Sequence, residues 1–338
     1  MTVVIRVDAS ILVGSGHVMR CLTLARRLQK QHGADVAFVM RDLAGNFISK
    51  LQADGFKVLV LPRVAEYQGL SGYEKWLTVP VERDAEETLV AIQSYISFVD
   101  TLVVDSYALD YRWENILRPV AKEIMVIDDL ANRKHDCDVL LDQNFYLNKS
   151  QRYDGLVSEH CRLLLGPEHA LLREEFYEMK KHLRKRDGNV KHILVFYGGS
   201  DLTDETSKAI QALVLLHKEH NTISVDVVTG KSNPHKQKVE ELCSQHDFIR
   251  YYCQVDNMAE LMNKADLMLG AGGTTTWERL FLQLPAIVTA IAENQVEICN
   301  DCAAAGVIDY LGLAEDISVD DIAFAVCHKL ENGALGKI

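Results

Sequence analysis

Val3-Val4-Ile5-Arg6-Val7-Asp8-Ala9-Ser10-Ile11-Leu12-Val13-Gly14-Ser15-Gly16-His17-Val18-Met19-Arg20-Cys21-Leu22-Thr23-Leu24-Ala25 holds a β-branched run, a glycine-bearing loop and the start of an amphipathic stretch. Val18, Cys21, Leu22, Leu24, Ala25 and Leu28 recur at helical spacing, so a helix is expected from His17 to about Gln31. The unit is strand, loop, helix. Similar runs follow at Val36–Met40, Val58–Leu61, Leu102–Val104 and Ile124–Ile127, with helical spacers such as Asp84 to Ile96. Near-continuous branched runs suit strands covered on both faces of a parallel sheet. Their alternation with helices implies a doubly wound α/β domain.

The pattern weakens after Leu141 and restarts at His192-Ile193-Leu194-Val195-Phe196-Tyr197. Val225–Val228, Ile249–Tyr252, Leu267–Leu269 and Ala286–Val288 continue it. A charged helix is expected over Glu174–Leu183, and the polar stretch Arg184-Lys185-Arg186-Asp187-Gly188-Asn189 reads as a linker. The expected organisation is an N-terminal domain over 1–183, a linker over 184–190 and a C-terminal domain over 191–338. Two such domains place a site in the cleft between them, at the carboxyl ends of the strands.

Composition narrows the ligand. The 338 residues carry a formal net charge of -12, which argues against broad nucleic-acid or anionic-membrane binding. A phosphate ligand would have to be met locally, by backbone N–H groups, helix N-termini or a few cations. No apolar run reaches the roughly 18 residues of a membrane helix, and no secretory leader is evident. The eight cysteines are scattered, and Cys299-x-x-Cys302 has no second pair to complete a metal site, so reduced thiols in the cytosol are expected.

Three glycine-rich loops follow strands. In the first, Gly14 and Gly16 allow a sharp bend, but Met19 stands where a dinucleotide fingerprint needs its third glycine. His17 opens the helix, where the helix dipole disfavours the imidazolium form. A neutral imidazole there can take a proton from water, or simply cap the helix or fill a gap. Arg20, one turn on, could meet a substrate oxygen or pair with an acid. In the second loop, Gly198-Gly199-Ser200-Asp201 can offer N–H groups to a diphosphate, or form a tight turn capped by Asp201 or Thr203. The third is Gly270-Ala271-Gly272-Gly273-Thr274-Thr275-Thr276-Trp277-Glu278. Glu278 can accept two ribose hydroxyls, or pair back to Thr275 as a capping-box acid. Asn294 and Gln295 follow another strand and suit a sugar or base edge. Asp136-Cys137-Asp138 resembles a metal-holding Asp-x-Asp, but it precedes the run Val139-Leu140-Leu141, and a turn or strand-start role fits it better. No metal site or cofactor is expected.

These residues together resemble a family. Val7-Asp8-Ala9-Ser10 with Gly14-Ser15-Gly16-His17-Val18-Met19-Arg20 is similar to the N-terminal signature of the UDP-2,4-diacetamido-2,4,6-trideoxy-β-L-altropyranose hydrolases of pseudaminic acid biosynthesis. Trp76-Leu77, Val104-Asp105-Ser106-Tyr107, Ile127-Asp128-Asp129, Leu172–Phe176, Gly198–Asp201, Trp277-Glu278 and Glu293-Asn294-Gln295 extend the likeness. The resemblance implies two Rossmann-like domains of the GT-B type, related to the glycosyltransferase that makes lipid II. It implies inverting, metal-free hydrolysis of a UDP-sugar by water. His17 takes the place of the catalytic histidine, and Glu278 and Asn294 those of the UDP-contacting acid and amide. Tyr107 falls at a sugar-side position. Substrate contacts are expected at Gly14, Gly16, Arg20, Asp105, Tyr107, Gly199, Ser200, Gly273, Thr274, Glu278, Asn294 and Gln295. A glycosyltransferase on the same fold is the competing expectation. The chain is expected to act in the cytoplasm as a monomer or weak dimer, with no nucleic-acid or membrane partner.

Overall fold

A computed structural model describes residues 1–64 and 68–334. The chain divides into two compact units, Met1–Asn144 with Asn148–Leu171, and Phe145–Leu147 with Leu172–Ile338. The change of unit thus comes before the stretch 184–190 that reads as a linker. That stretch is bound within the second unit. Arg184 donates to Asp266, and Arg186 donates to the carbonyls of Ala265, Met262 and Leu282. A polar sequence looks like a linker, but guanidinium groups satisfying carbonyls at chain turns make it part of the unit.

The first unit is built on β1 (Thr2–Val7), β2 (Asp35–Arg41), β3 (Lys57–Leu61), β4 (Val99–Asp105), β5 (Ala121–Ile127), β6 (Val139–Asp142) and β7 (Arg162–Leu165). All pairings are parallel, in the order β3-β2-β1-β4-β5-β6-β7. Alternate residues face opposite ways, as a strand period of two requires. Val3, Ile5 and Val7 pack with Val18, Cys21, Leu22 and Ala25 of the helix Gly16–His32. Val4 packs with Ala85 and Ile92 of the helix Val81–Tyr95 on the other face. Both faces are covered, which explains the unbroken apolar runs.

Arg6 and Arg41 interrupt those runs and point to the same helix, where Asp84 meets both. Arg6 Nη2 and Arg41 Nη2 each lie 2.7 Å from Asp84 Oδ2, and Trp113 Nε1 donates to Oδ1 at 3.0 Å. Burial works to raise the Asp84 carboxyl, but the two guanidinium groups outweigh it and hold it below its ordinary range. All three charged side chains are fully buried. Arg6 keeps a second partner in Asp8 and Arg41 one in Glu87, each at 2.7 Å. Asp84→Asn therefore weakens two charge-assisted bonds without stranding a charge, and it is expected to lower unfolding free energy by about 1–3 kcal/mol, read from the urea midpoint at constant slope.

The second unit carries β8 (His192–Phe196), β9 (Ser224–Thr229), β10 (Ile249–Cys253), β11 (Leu267–Ala271), β12 (Ala286–Ala290) and β13 (Asp309–Leu313). Its parallel order is β10-β9-β8-β11-β12-β13. In both sheets the chain winds one way from the first strand, then returns to wind the other way. The switch falls between β1 and β4 in one unit and between β8 and β11 in the other. Loops leaving adjacent strands diverge there and open a crevice, so ligands bind at that point in open α/β sheets.

Candidate active site

The loops after β1 and β4 meet at the first switch point. Gly14, at φ +75°, turns the chain after β1, and its N–H bonds back to Ser10 O at 2.9 Å. Gly16 then begins the helix that carries His17 and Arg20. Asp105 ends β4, and Tyr107 follows it.

His17 Nδ1 lies 2.6 Å from Asp105 Oδ1. Arg20 grips the same carboxylate with two bonds, Nε to Oδ2 at 2.6 Å and Nη2 to Oδ1 at 2.7 Å. Burial alone would raise the Asp105 carboxyl, but Arg20 and then His17 hold it well below the usual carboxylate range. An ionised Asp105 can only accept, so the shared proton belongs to His17 Nδ1. Nε2 is then the ring's free lone pair, and among the described residues it has no hydrogen-bond partner. Ser15 holds the N-cap position, so the His17 side chain is engaged with Asp105 instead of capping the helix.

Asp105 has no exposed side-chain surface, and both oxygens are spent on His17 and Arg20. Its place is behind the histidine rather than against substrate. Arg20 is buried too, and its third nitrogen pairs with Asp129 at 2.9 Å, so it meets acids here. The ring of Tyr107 stands edge-on to His17 at 4.7 Å, and Trp76 stacks on Tyr107 at 5.6 Å. Burial, then Asp129, raises the Tyr107 phenol well above its ordinary value, so it stays protonated. Beside the imidazole is a pocket with about 10 Å³ of room, lined by Asp8, Asp105, Ser106 and Trp76 among others. That is roughly the space of one water. A larger groove of about 350 Å³ between β13 and the helix Val319–Asn332 contains none of the residues expected at the site.

Further along the same strand edge, Asp142 ends β6. Burial, then Asp129, pushes its carboxyl up to about 7, against the pull of Tyr153 and Arg152. The folded state therefore holds this proton more tightly than the unfolded chain does. Its contribution is full below about pH 4 and is lost as pH rises through 7. Asn mimics the protonated carboxyl, so Asp142→Asn should gain stability relative to wild type between pH 5 and pH 8. Paired thermal melts at the two pH values read the difference.

In the second unit, the expected residues sit on the loops after β8, β11 and β12. Asp201 accepts from the backbone N–H groups of Glu205 and Thr206, so it caps the helix Glu205–His217 and leaves Gly199 and Ser200 at the turn. Gly273 and Thr274 lead into the helix Thr275–Phe281. Gly272 is required by close approach: a Cβ there would stand 2.2 Å from Cys299 Sγ. Glu278 does not pair back to Thr275. Its Oε1 accepts from Arg173 Nε at 3.0 Å. Gln295 spends its oxygen on Ile291 N–H at 3.1 Å, which ties down the loop after β12, while Asn294 is exposed. In the Asp-x-Asp, Asp138 takes a strand-start role: it accepts from Ile124 N–H and pairs with Arg118 just before β6. Cys299 and Cys302 are buried on one helix as free thiols. Among the described residues no group of His, Cys, Asp and Glu could hold a metal ion, and no helix is long and apolar enough to cross a membrane.

Known proteins are similar to this chain in sequence and in fold. Residues 192–307 match the family described as the glycosyltransferase family 28 C-terminal domain. The chain is 28% identical over 309 residues to an uncharacterised protein of Methanocaldococcus jannaschii, covering 89% of this chain and 58% of that one. It is 26% identical over 296 residues to the UDP-2,4-diacetamido-2,4,6-trideoxy-beta-L-altropyranose hydrolase of Campylobacter jejuni, covering 87% and 93%. The crystal structure of Acinetobacter baumannii MurG matches with a TM-score of 0.62 at 12% identity, over 98% of this chain and 92% of that one. The fold is thus of the GT-B glycosyltransferase class, two Rossmann-like α/β units.

Proposed function

We propose that this chain hydrolyses a UDP-linked 2,4-diacetamido-2,4,6-trideoxyhexose to the free sugar and UDP. The observation that carries the reading is the Asp105–His17 pair, whose Nε2 has no hydrogen-bond partner among the described residues, at a water-sized pocket that His17 lines. The likeness to the Campylobacter jejuni hydrolase over most of both chains supplies the substrate class.

His17 Nε2 takes a proton from water as the oxygen attacks the anomeric carbon. The bond from that carbon to the diphosphate oxygen breaks, and UDP leaves with the electron pair. Asp105 steadies the imidazolium that forms, then the proton passes to solvent. Trp76 and Tyr107 shield the base from bulk water. In the second unit the N–H groups at Gly199, Ser200, Gly273 and Thr274 meet the diphosphate. Glu278 accepts ribose hydroxyls, and Asn294 meets the nucleoside. Preorganised donors of this kind contribute roughly a few kcal/mol each to a developing charge. The reaction runs without a metal, the charge that develops on UDP being met by those N–H groups. Its place is the cytoplasm, as a monomer or weak dimer.

Transfer to a sugar acceptor is the second reading, favoured by the family 28 match. Incubating pure protein with the UDP-sugar in ¹⁸O-water, with EDTA and no acceptor, separates the two. UDP release with label in the sugar is expected. Release only after an acceptor is added would replace hydrolysis with transfer, and loss of activity in EDTA would sink the metal-free step.

A further inference from the structure

Arg173 lies just before the helix Glu174–Lys180, and no role follows for it from the reaction described above. Its partner Glu278 is 105 residues away in sequence. Arg173 Nε donates to Glu278 Oε1 at 3.0 Å, and its Nη1 lies 2.6 Å from Glu175 Oε1. Glu175 is itself fixed, because its Oε2 accepts from Ala259 N–H at 3.1 Å. The guanidinium sits 5.0 Å from the centroid of the Phe176 ring. One carboxylate oxygen of Glu278 is therefore clamped by an anchored fork. Among the described residues the other, Oε2, has no partner.

We propose that Arg173 is a positioning residue for nucleotide recognition, holding Oε1 of Glu278 so that Oε2 is presented to the ribose hydroxyls of a bound nucleoside diphosphate. The inference rests on the reading of Glu278 given under the proposed function. Two physical needs favour it. A carboxylate on a rotatable stem discriminates hydroxyls only when its plane is fixed, and a planar guanidinium fixes it through directional bonds. It must also stay ionised: burial raises the Glu278 carboxyl, and Arg173 is the cation that opposes this. The pair is partly exposed, so its contribution to folding is small, and orientation is what it supplies.

Calorimetric titration of the full chain with UDP and with 2′,3′-dideoxy-UDP tests this. Wild type should prefer UDP by about tenfold or more, the value of a hydrogen bond to a charged group. Arg173→Gln should collapse the preference toward one, while the dideoxy analogue, with no hydroxyls to lose, binds both proteins alike. Arg173→Gln should also raise KM for the UDP-sugar more than it lowers kcat. Adding Glu278→Gln should remove nothing further, since both changes break one interaction. An equal loss for both nucleotides, or a preference that survives Arg173→Gln, would overturn the inference alone. A wild type that binds UDP but shows no preference would overturn the ribose reading of Glu278 and this inference with it.

Discussion

His17→Gln is expected to lower kcat by about 10²–10⁴-fold, the usual contribution of a positioned general base. Glutamine keeps a polar group of similar reach but cannot accept a proton near neutral pH. The proposed nucleotide contacts all belong to the second unit, so UDP affinity should hold. kcat and kcat/KM should then fall together, the signature of an interaction made only in the transition state. Stopped assays of UDP release give kcat, and calorimetry gives UDP affinity. Turnover close to wild type would place the base elsewhere.

Asp105→Asn is expected to fall at the upper end of that range, about 10⁴-fold, as when the carboxylate behind a catalytic histidine is lost. An amide can donate its NH₂ to Nδ1, which would flip the ring to the tautomer that carries its proton on Nε2. The lone pair would then face away from water. A second loss comes from Arg20, whose bidentate grip on Asp105 becomes a single acceptor contact. Melting temperature should therefore fall with activity. Arg20→Lys separates the two effects, since it weakens the grip but leaves Asp105 able to hold the Nδ1 proton. Activity retained in Asp105→Asn would mean the pair is structural.

Much of this fold is legible in the sequence where strands are covered on both faces. Val3–Val7 and Val36–Met40 announce themselves because nearly every side chain is buried. β7 and β13 are harder to see: their residues are half-buried or exposed, the leucine run of β7 is only Leu163–Leu165, and Gly312 breaks the apolar pattern of β13. His17 stands out as a histidine at a glycine-rich helix start. The task of Asp105 does not, since Asp-Ser-Tyr after a strand is equally compatible with a substrate contact. Arg173 is hidden further: in Arg173-Glu174-Glu175 it looks like one charge of a solvated helix, and only the fold brings it to Glu278. His217, in a polar stretch that suggests exposure, stacks flat on Phe248 at 3.6 Å. Pairings across long sequence separations leave no periodicity to find.

The near-contact of Gly272 with Cys299 has an evolutionary side. The loop after β11 lies so close to the helix Val296–Ala304 that the two positions share one small volume. Neither can drift alone. A homologue that gains a methyl group at the first position must give up the sulfur at the second, so substitutions there should arise as matched pairs. The same crowding makes Cys299 a chemical handle. Any reagent that reached its buried sulfur would push against the loop proposed to cradle the diphosphate.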